Sequence, residues 1–196
     1  MSKRFSMGRV IAAATIAAFA AFGSTQAVAD DFALGGQITT IDDGNVKAAG
    51  KSGRFVVKNR HVGGTLSGFI GDTPLVNVPF TFTFGTNVPI MTQSGNIHGT
   101  LVIDSGAYTA KVAAKSAIGV TPAPCPAAWA AVYGCIETAP GVFFFPGLLI
   151  NGNLTFTSGD TQGHGTVDGW VIPIIDPVTG HIVGVFAGAL SLQGSK

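Results

Sequence analysis

Charge is what this chain has least of. Asp, Glu, Lys and Arg make up 11% of its 196 residues, where about 25% is usual. Between Lys115 and Lys196 there is no Lys or Arg, and only Glu137, Asp160, Asp168 and Asp176 carry charge. So neutral a surface is unusual for a freely dissolved monomer. It calls for self-association, for a partner, or for an exterior of Thr, Ser, Asn and Gly. The shortage also excludes function classes. No excess of cations points to nucleic acid, and no Lys/Arg cluster argues for anionic lipid. Cysteine is confined to Cys125 and Cys135, and two thiols with no neighbouring His do not complete a zinc site. Trp and Tyr number two each, few for the aromatic girdles of an outer-membrane barrel, and the chain closes on Gln-Gly-Ser-Lys without a terminal aromatic. Gly-x-Ser-x-Gly, His-x-His and His-Glu-x-x-His are all missing. The Gly-rich run Gly63–Gly68 opens no helix, so it is no phosphate loop. No cofactor and no metal is expected.

What is present begins with an export signal. Lys3, Arg4 and Arg9 precede the Ala-rich apolar run Val10–Phe22, and Ala27-Val28-Ala29 supplies the small residues of a peptidase site. Those parts in that order predict a cleavable secretory signal over residues 1–29. A run this short falls below the ~20 residues of a membrane-crossing helix, so no transmembrane helix is expected. The Ala-rich segment has a bacterial character, which places the protein in the periplasm or outside the cell. The part from Asp30 onward holds 8 basic and 10 acidic residues, a net charge of −2. Its length suits one domain over residues 30–196. In an oxidising compartment Cys125 and Cys135 are expected to form a disulfide that pins a local loop.

Period-2 alternation then dominates, with 28 Gly and many Thr and Val. Val76–Phe84 is clearest: Val76, Val78, Phe80, Phe82 and Phe84 share one face. Pro79 on the other face lacks a donor and marks an edge or a bulge. Further strands are predicted over Phe32–Ile41, Arg54–Asn59, His61–Ile70, Ile97–Ile103, Tyr108–Ala114, Leu148–Thr157, Gly163–Ile175 and His181–Leu192. Turn residues separate them, Asp42-Asp43-Gly44-Asn45 and Asp176–Gly180 among them. In the last strand Ile182, Phe186, Leu190 and Leu192 fall on one face and Val183, Val185, Ala187 and Ala189 on the other. Gly64-Thr65-Leu66, Gly99-Thr100-Leu101 and Gly165-Thr166-Val167 echo one another without a fixed period. The expected fold is all-β, an antiparallel up-and-down barrel or sandwich of about 8–10 strands. One long disulfide-clasped insertion, residues 118–147, interrupts it, with helical turns over Ala127–Tyr133.

Two sets of residues are candidates for function. Phe80, Phe82 and Phe84, with Trp129, Tyr133, Phe143, Phe144 and Phe145 of the insertion, are expected to meet an apolar ligand or a partner. The insertion otherwise plugs one end of the fold. His98, His164 and Asp168 lie on polar strand faces and are weak candidates for acid–base work, the alternative being plain solvation. In architecture alone the pattern resembles lipocalin-like and allene-oxide-cyclase-like barrels. The first expectation is thus an exported, non-enzymatic β protein that binds an apolar small molecule or a protein partner. The alternatives are a self-associating cell-surface or matrix subunit, and a cofactor-independent isomerase or cyclase of the second barrel type.

Overall fold

A computed structural model describes residues 31–49, 54–89, 94–158 and 161–195. The expected signal peptide and the Gly159-Asp160 turn lie outside the described residues. Ten strands form: β1 (Asp31–Ile41), β2 (Asn45–Ala49), β3 (Arg54–Ile70), β4 (Thr73–Pro89), β5 (Ser94–Ile103), β6 (Tyr108–Cys125), β7 (Ile136–Ala139), β8 (Val142–Ser158), β9 (Thr161–Ile175) and β10 (Ile182–Ser195). All pairings are antiparallel, and each long strand lies beside the next in sequence. Because β1 pairs with both β10 and β3, eight strands close into a ring. This is an up-and-down barrel, one of the two architectures that the alternation allows.

The alternating faces sort as burial demands. Phe32, Leu66, Phe82, Leu101, Phe156, Val167 and Leu192 point inward and are almost wholly buried. Outward positions on the same strands are mostly polar or small, Thr, Asn, Gln, Ser and His among them, with Phe69 an exposed exception. That is the reverse of a membrane-spanning barrel, whose lipid-facing side is apolar. Each buried Phe contributes roughly 1.5–3 kcal/mol of transfer free energy.

The interior closes by setting rings against glycines. Gly64 lies opposite Phe80, Gly99 opposite Phe84, Gly194 opposite Phe32 and Gly163 opposite Phe156. Directly opposed side chains in an antiparallel pair are nearest neighbours, so a ring covers the place where the glycine has no side chain. A Cβ on Gly99 would stand 2.6 Å from Phe84 Cβ, and one on Gly194 2.6 Å from Phe32 Cζ. This explains the Gly-Thr echoes: Gly99 and Gly165 turn inward under a neighbour's backbone or ring, and the following Thr turns outward.

Several boundaries differ from the sequence reading. Residues 54–70 make one strand, not a pair. Asn59 adopts a left-handed φ of 52° at a bulge where the register with β4 shifts, which mimics a turn. A second bulge at Asn77 (φ 51°) accompanies Pro79, which lies beyond the last residue of β4 that pairs with β5. Asp42-Asp43-Gly44 kinks the chain without reversing it, so β1 and β2 both pair with β3. In β10, shifts beside Gly184 and Phe186 break parity. Val185 packs on the main core, while Phe186 packs at a tilt against Phe145, ring centres 5.0 Å apart.

The 118–147 insertion is mostly strand. β6 runs on to Cys125 and β8 starts at Val142, leaving residues 126–141 as the excursion. It holds the short helical turns Ala127–Trp129 and Ala130–Tyr133, as the sequence predicts. The Cys125–Cys135 disulfide is formed. Cys125, Phe145 and Ile172 build a small second core, with Cys135, Phe143 and Trp170 beside it. Phe145 and Ile172 have the parity opposite to Ile150 and Val171, so this core lies on the outer face of the wall. The excursion does not enter the barrel.

Candidate functional site

The two ends of the barrel are unlike. At one, strands join through two to four residues, and Asp31 meets Ser195. At the other, the strands continue past the ring as arms, β2–β3, β4–β5, β6–β8 and β9–β10. Among the described residues, sixteen large apolar side chains are exposed, and all but Phe69 and Val76 lie in the arm half. Their tips are the most open: Val178 in the β9–β10 turn is 91% exposed and Val132 in the Cys excursion 76%. Trp129 and Tyr133 are also exposed, with ring centres 5.7 Å apart. Tyr133 packs edge-on against Phe145, which holds the excursion to the wall. Phe143 and Phe144 are half-buried. Of the expected contact residues, then, Trp129 and Tyr133 are open to a partner and Phe145 is internal support.

Phe80, Phe82 and Phe84 are 3%, 2% and 2% exposed. They fill the volume an apolar ligand would need inside the barrel.

His98, His164 and Asp168 all lie on the outer wall and are exposed. Three strand spacings separate His98 on β5 from His164 on β9, about 14 Å. Asp168 lies four residues beyond His164 on the same strand, a similar distance, and accepts a hydrogen bond from Asn151 Nδ2. Ring closure does not gather the three. Among the described residues no group of three His, Cys, Asp or Glu is placed to hold a metal. Beside His98 there is an open groove of about 400 Å³, walled by His98, Thr100, Lys111, Asn153 and Thr155 around Ala113. It is shallow and of mixed character, with Val112 and Ala113 on its floor.

The histidines that do find carboxylates are the other two. Asp42 accepts from the His61 amide at 2.9 Å and meets His61 Nδ1 at 3.0 Å. Burial raises the pKa of Asp42, but the His61 and Gly44 hydrogen bonds outweigh it and hold the carboxyl below the ordinary value. Asp43 accepts from the Ile182 amide at 2.9 Å and meets His181 Nδ1 at 2.7 Å, across 138 positions of sequence. The Ile182 amide, then the His181 side chain, depress its pKa. The Arg60 guanidinium donates to the Asp43 carbonyl at 2.9 Å, and burial lowers the pKa of Arg60. These bonds join the root of the β2–β3 arm to the β9–β10 turn. The sequence carried one hint of this: two acids beside a glycine, where a simple turn needs one.

No protein-family model matches the chain, and neither curated proteins nor solved structures yield a match.

Proposed function

We propose that this protein is a non-enzymatic exported β-barrel that works by docking: the barrel is a rigid support and the arm end is the working surface. One observation carries the reading, the crowding of exposed apolar side chains at that end. Exposed apolar side chains gathered at one end are costly in water and mark an interaction site. The β6–β8 and β9–β10 arms hold a single charged residue each, Glu137 and Asp176, so apposition there desolvates little charge. Rigidity favours docking too, because a filled interior leaves few conformations to lose on association.

The test is a pair of substitutions at the tips, Val132→Asp and Val178→Asp. Both side chains are exposed, so folding should be unaffected, and near-UV circular dichroism checks that. In cell fractionation the wild type is expected to sediment with the envelope or as an assembly, and the double variant to be released. Identical distributions of two folded proteins would overturn the proposal. A second reading, self-association into a surface layer, is favoured by the run without Lys or Arg from residue 116 to residue 195. It differs in requiring a concentration-dependent rise in mass in analytical ultracentrifugation without any other component.

A further inference from the structure

The arm end is not uniformly uncharged. Of the eight Lys and Arg after residue 29, five fall between Lys47 and Arg60 in the sequence, and Lys47 and Lys58 lie on the described part of the β2–β3 arm. Over the whole chain they are cancelled by acids, so the composition hides them, and the expectation above that no Lys/Arg cluster argues for anionic lipid is corrected by this local grouping. The register sorts this arm into two faces. Val46 opposes Val57 and Ala48 opposes Phe55, which makes one face apolar. Asn45 opposes Lys58 and Lys47 opposes Val56, which puts two lysines on the other. Lys47 and Lys58 are exposed, and so are Val46 and Phe55 on the apolar face.

An amphipathic basic element at the same end of the barrel as uncharged apolar tips has two kinds of contact to offer. Asp43 fixes that arrangement, since its carboxylate binds the Ile182 amide and His181 from the root of the basic arm. A protein groove would need to match the apolar tips and the basic face separately. A lipid surface supplies both: an acyl boundary for Val132, Val178 and Trp129, and a plane of phosphates for Lys47 and Lys58. Trp and Tyr are the residues that suit such a boundary.

We infer that the arm end docks on an anionic lipid surface, with the apolar tips entering the interface and the β2–β3 arm lying along the headgroups. The barrel stays outside the bilayer, because its outward wall is polar. The inference rests on the docking reading above and names its occupant.

The test is sedimentation of the exported protein with vesicles of phosphatidylcholine alone and of phosphatidylcholine mixed with phosphatidylglycerol. Binding is expected to the mixed vesicles, to weaken with added salt, and to be much poorer on phosphatidylcholine. Lys47→Gln with Lys58→Gln is expected to lower partitioning about thirtyfold, and Val132→Asp with Val178→Asp to abolish it. Equal binding to both vesicles, or no change in the Lys variant, overturns the inference. If vesicles are not bound but the protein self-associates, and the Val variant prevents this, the lipid inference falls while the docking surface stands. If the Val variant changes neither property, both fall.

Discussion

Gly99→Ala is the sharpest test of how the interior closes. Replacing a strand glycine by alanine ordinarily stabilises a protein by about 0.5–1 kcal/mol, because glycine loses more backbone freedom on folding. At Gly99 the new Cβ would lie 2.4 Å from the Thr83 carbonyl oxygen, 2.6 Å from Phe84 Cβ and 2.8 Å from Phe84 Cα. Two of those atoms are backbone, so no rotamer change relieves them. β4 must retreat, and it is held on its other side by β3. Overpacking of this kind costs typically 1–3 kcal/mol, which exceeds the gain in backbone entropy. We expect a net loss of about 2 kcal/mol, read as a fall in Tm of about 4–8 °C for a chain of this size. Urea unfolding followed by circular dichroism gives the free energy directly. Ala113→Ser, outward on the partner strand, should stay within about 0.5 kcal/mol of wild type. Adding Phe84→Leu should not rescue Gly99→Ala, because the clash is with Cα, Cβ and a carbonyl. If Gly99→Ala is as stable as wild type, close approach of the β4 backbone to Gly99 is not what packs this barrel.

Two other perturbations follow from the arms. The Asp43 carboxyl is held below its ordinary value, so its stabilisation is full above about pH 4, the unfolded value, and is lost as pH falls through the lower folded value. Asp43→Asn should therefore lower stability at neutral pH by about 1 kcal/mol, allowing for partial exposure. It should also flatten the loss on acidification; an unchanged acid limb in the unfolding-versus-pH curve would refute the latch. Replacing Cys125 and Cys135 by Ser removes a clasp that stabilises by about 2–3 kcal/mol in the chain-entropy model. Because the second core is separate from the first, the expected result is proteolytic cutting within residues 126–141 with the barrel's main transition nearly intact. A fully cooperative loss of the whole fold would contradict that separation.

Much of the barrel was legible because its inward and outward residues differ in kind. Val78–Phe84 alternates so strictly that face and burial follow directly, whereas Val76, predicted on the same face, lies beyond the Asn77 bulge and is exposed. The echoing Gly-Thr pairs were visible too, though their cause was not, since the ring that covers each glycine comes from another strand. What alternation cannot report is a bulge. Asn59, Asn77 and the shifts in β10 each displace a strand by a residue, and so Phe186 could not be placed outside from its parity. Asn45–Ala49 is too short and too mixed to announce β2. The basic arm was concealed by counting charge over the whole chain, although Lys47, Lys51, Arg54, Lys58 and Arg60 stand close together. The Asp43–His181 contact joins residues that only ring closure brings side by side, and no local pattern encodes it.

The pairing of β1 with β10 also sets an order of events. Asp31 finds Ser195, so the earliest strand of the barrel waits for the latest. Until residues 182–195 have been delivered, a chain emerging from its N-terminal side holds two bare flanks, on β1 and on β9. Each is a row of unused amides and carbonyls of the kind that pairs with any other chain in reach. Assembly is thus vectorially late: a nascent or truncated molecule lacking β10 is an open, adhesive sheet, and only the final fourteen-residue strand turns it into a closed and self-limited particle.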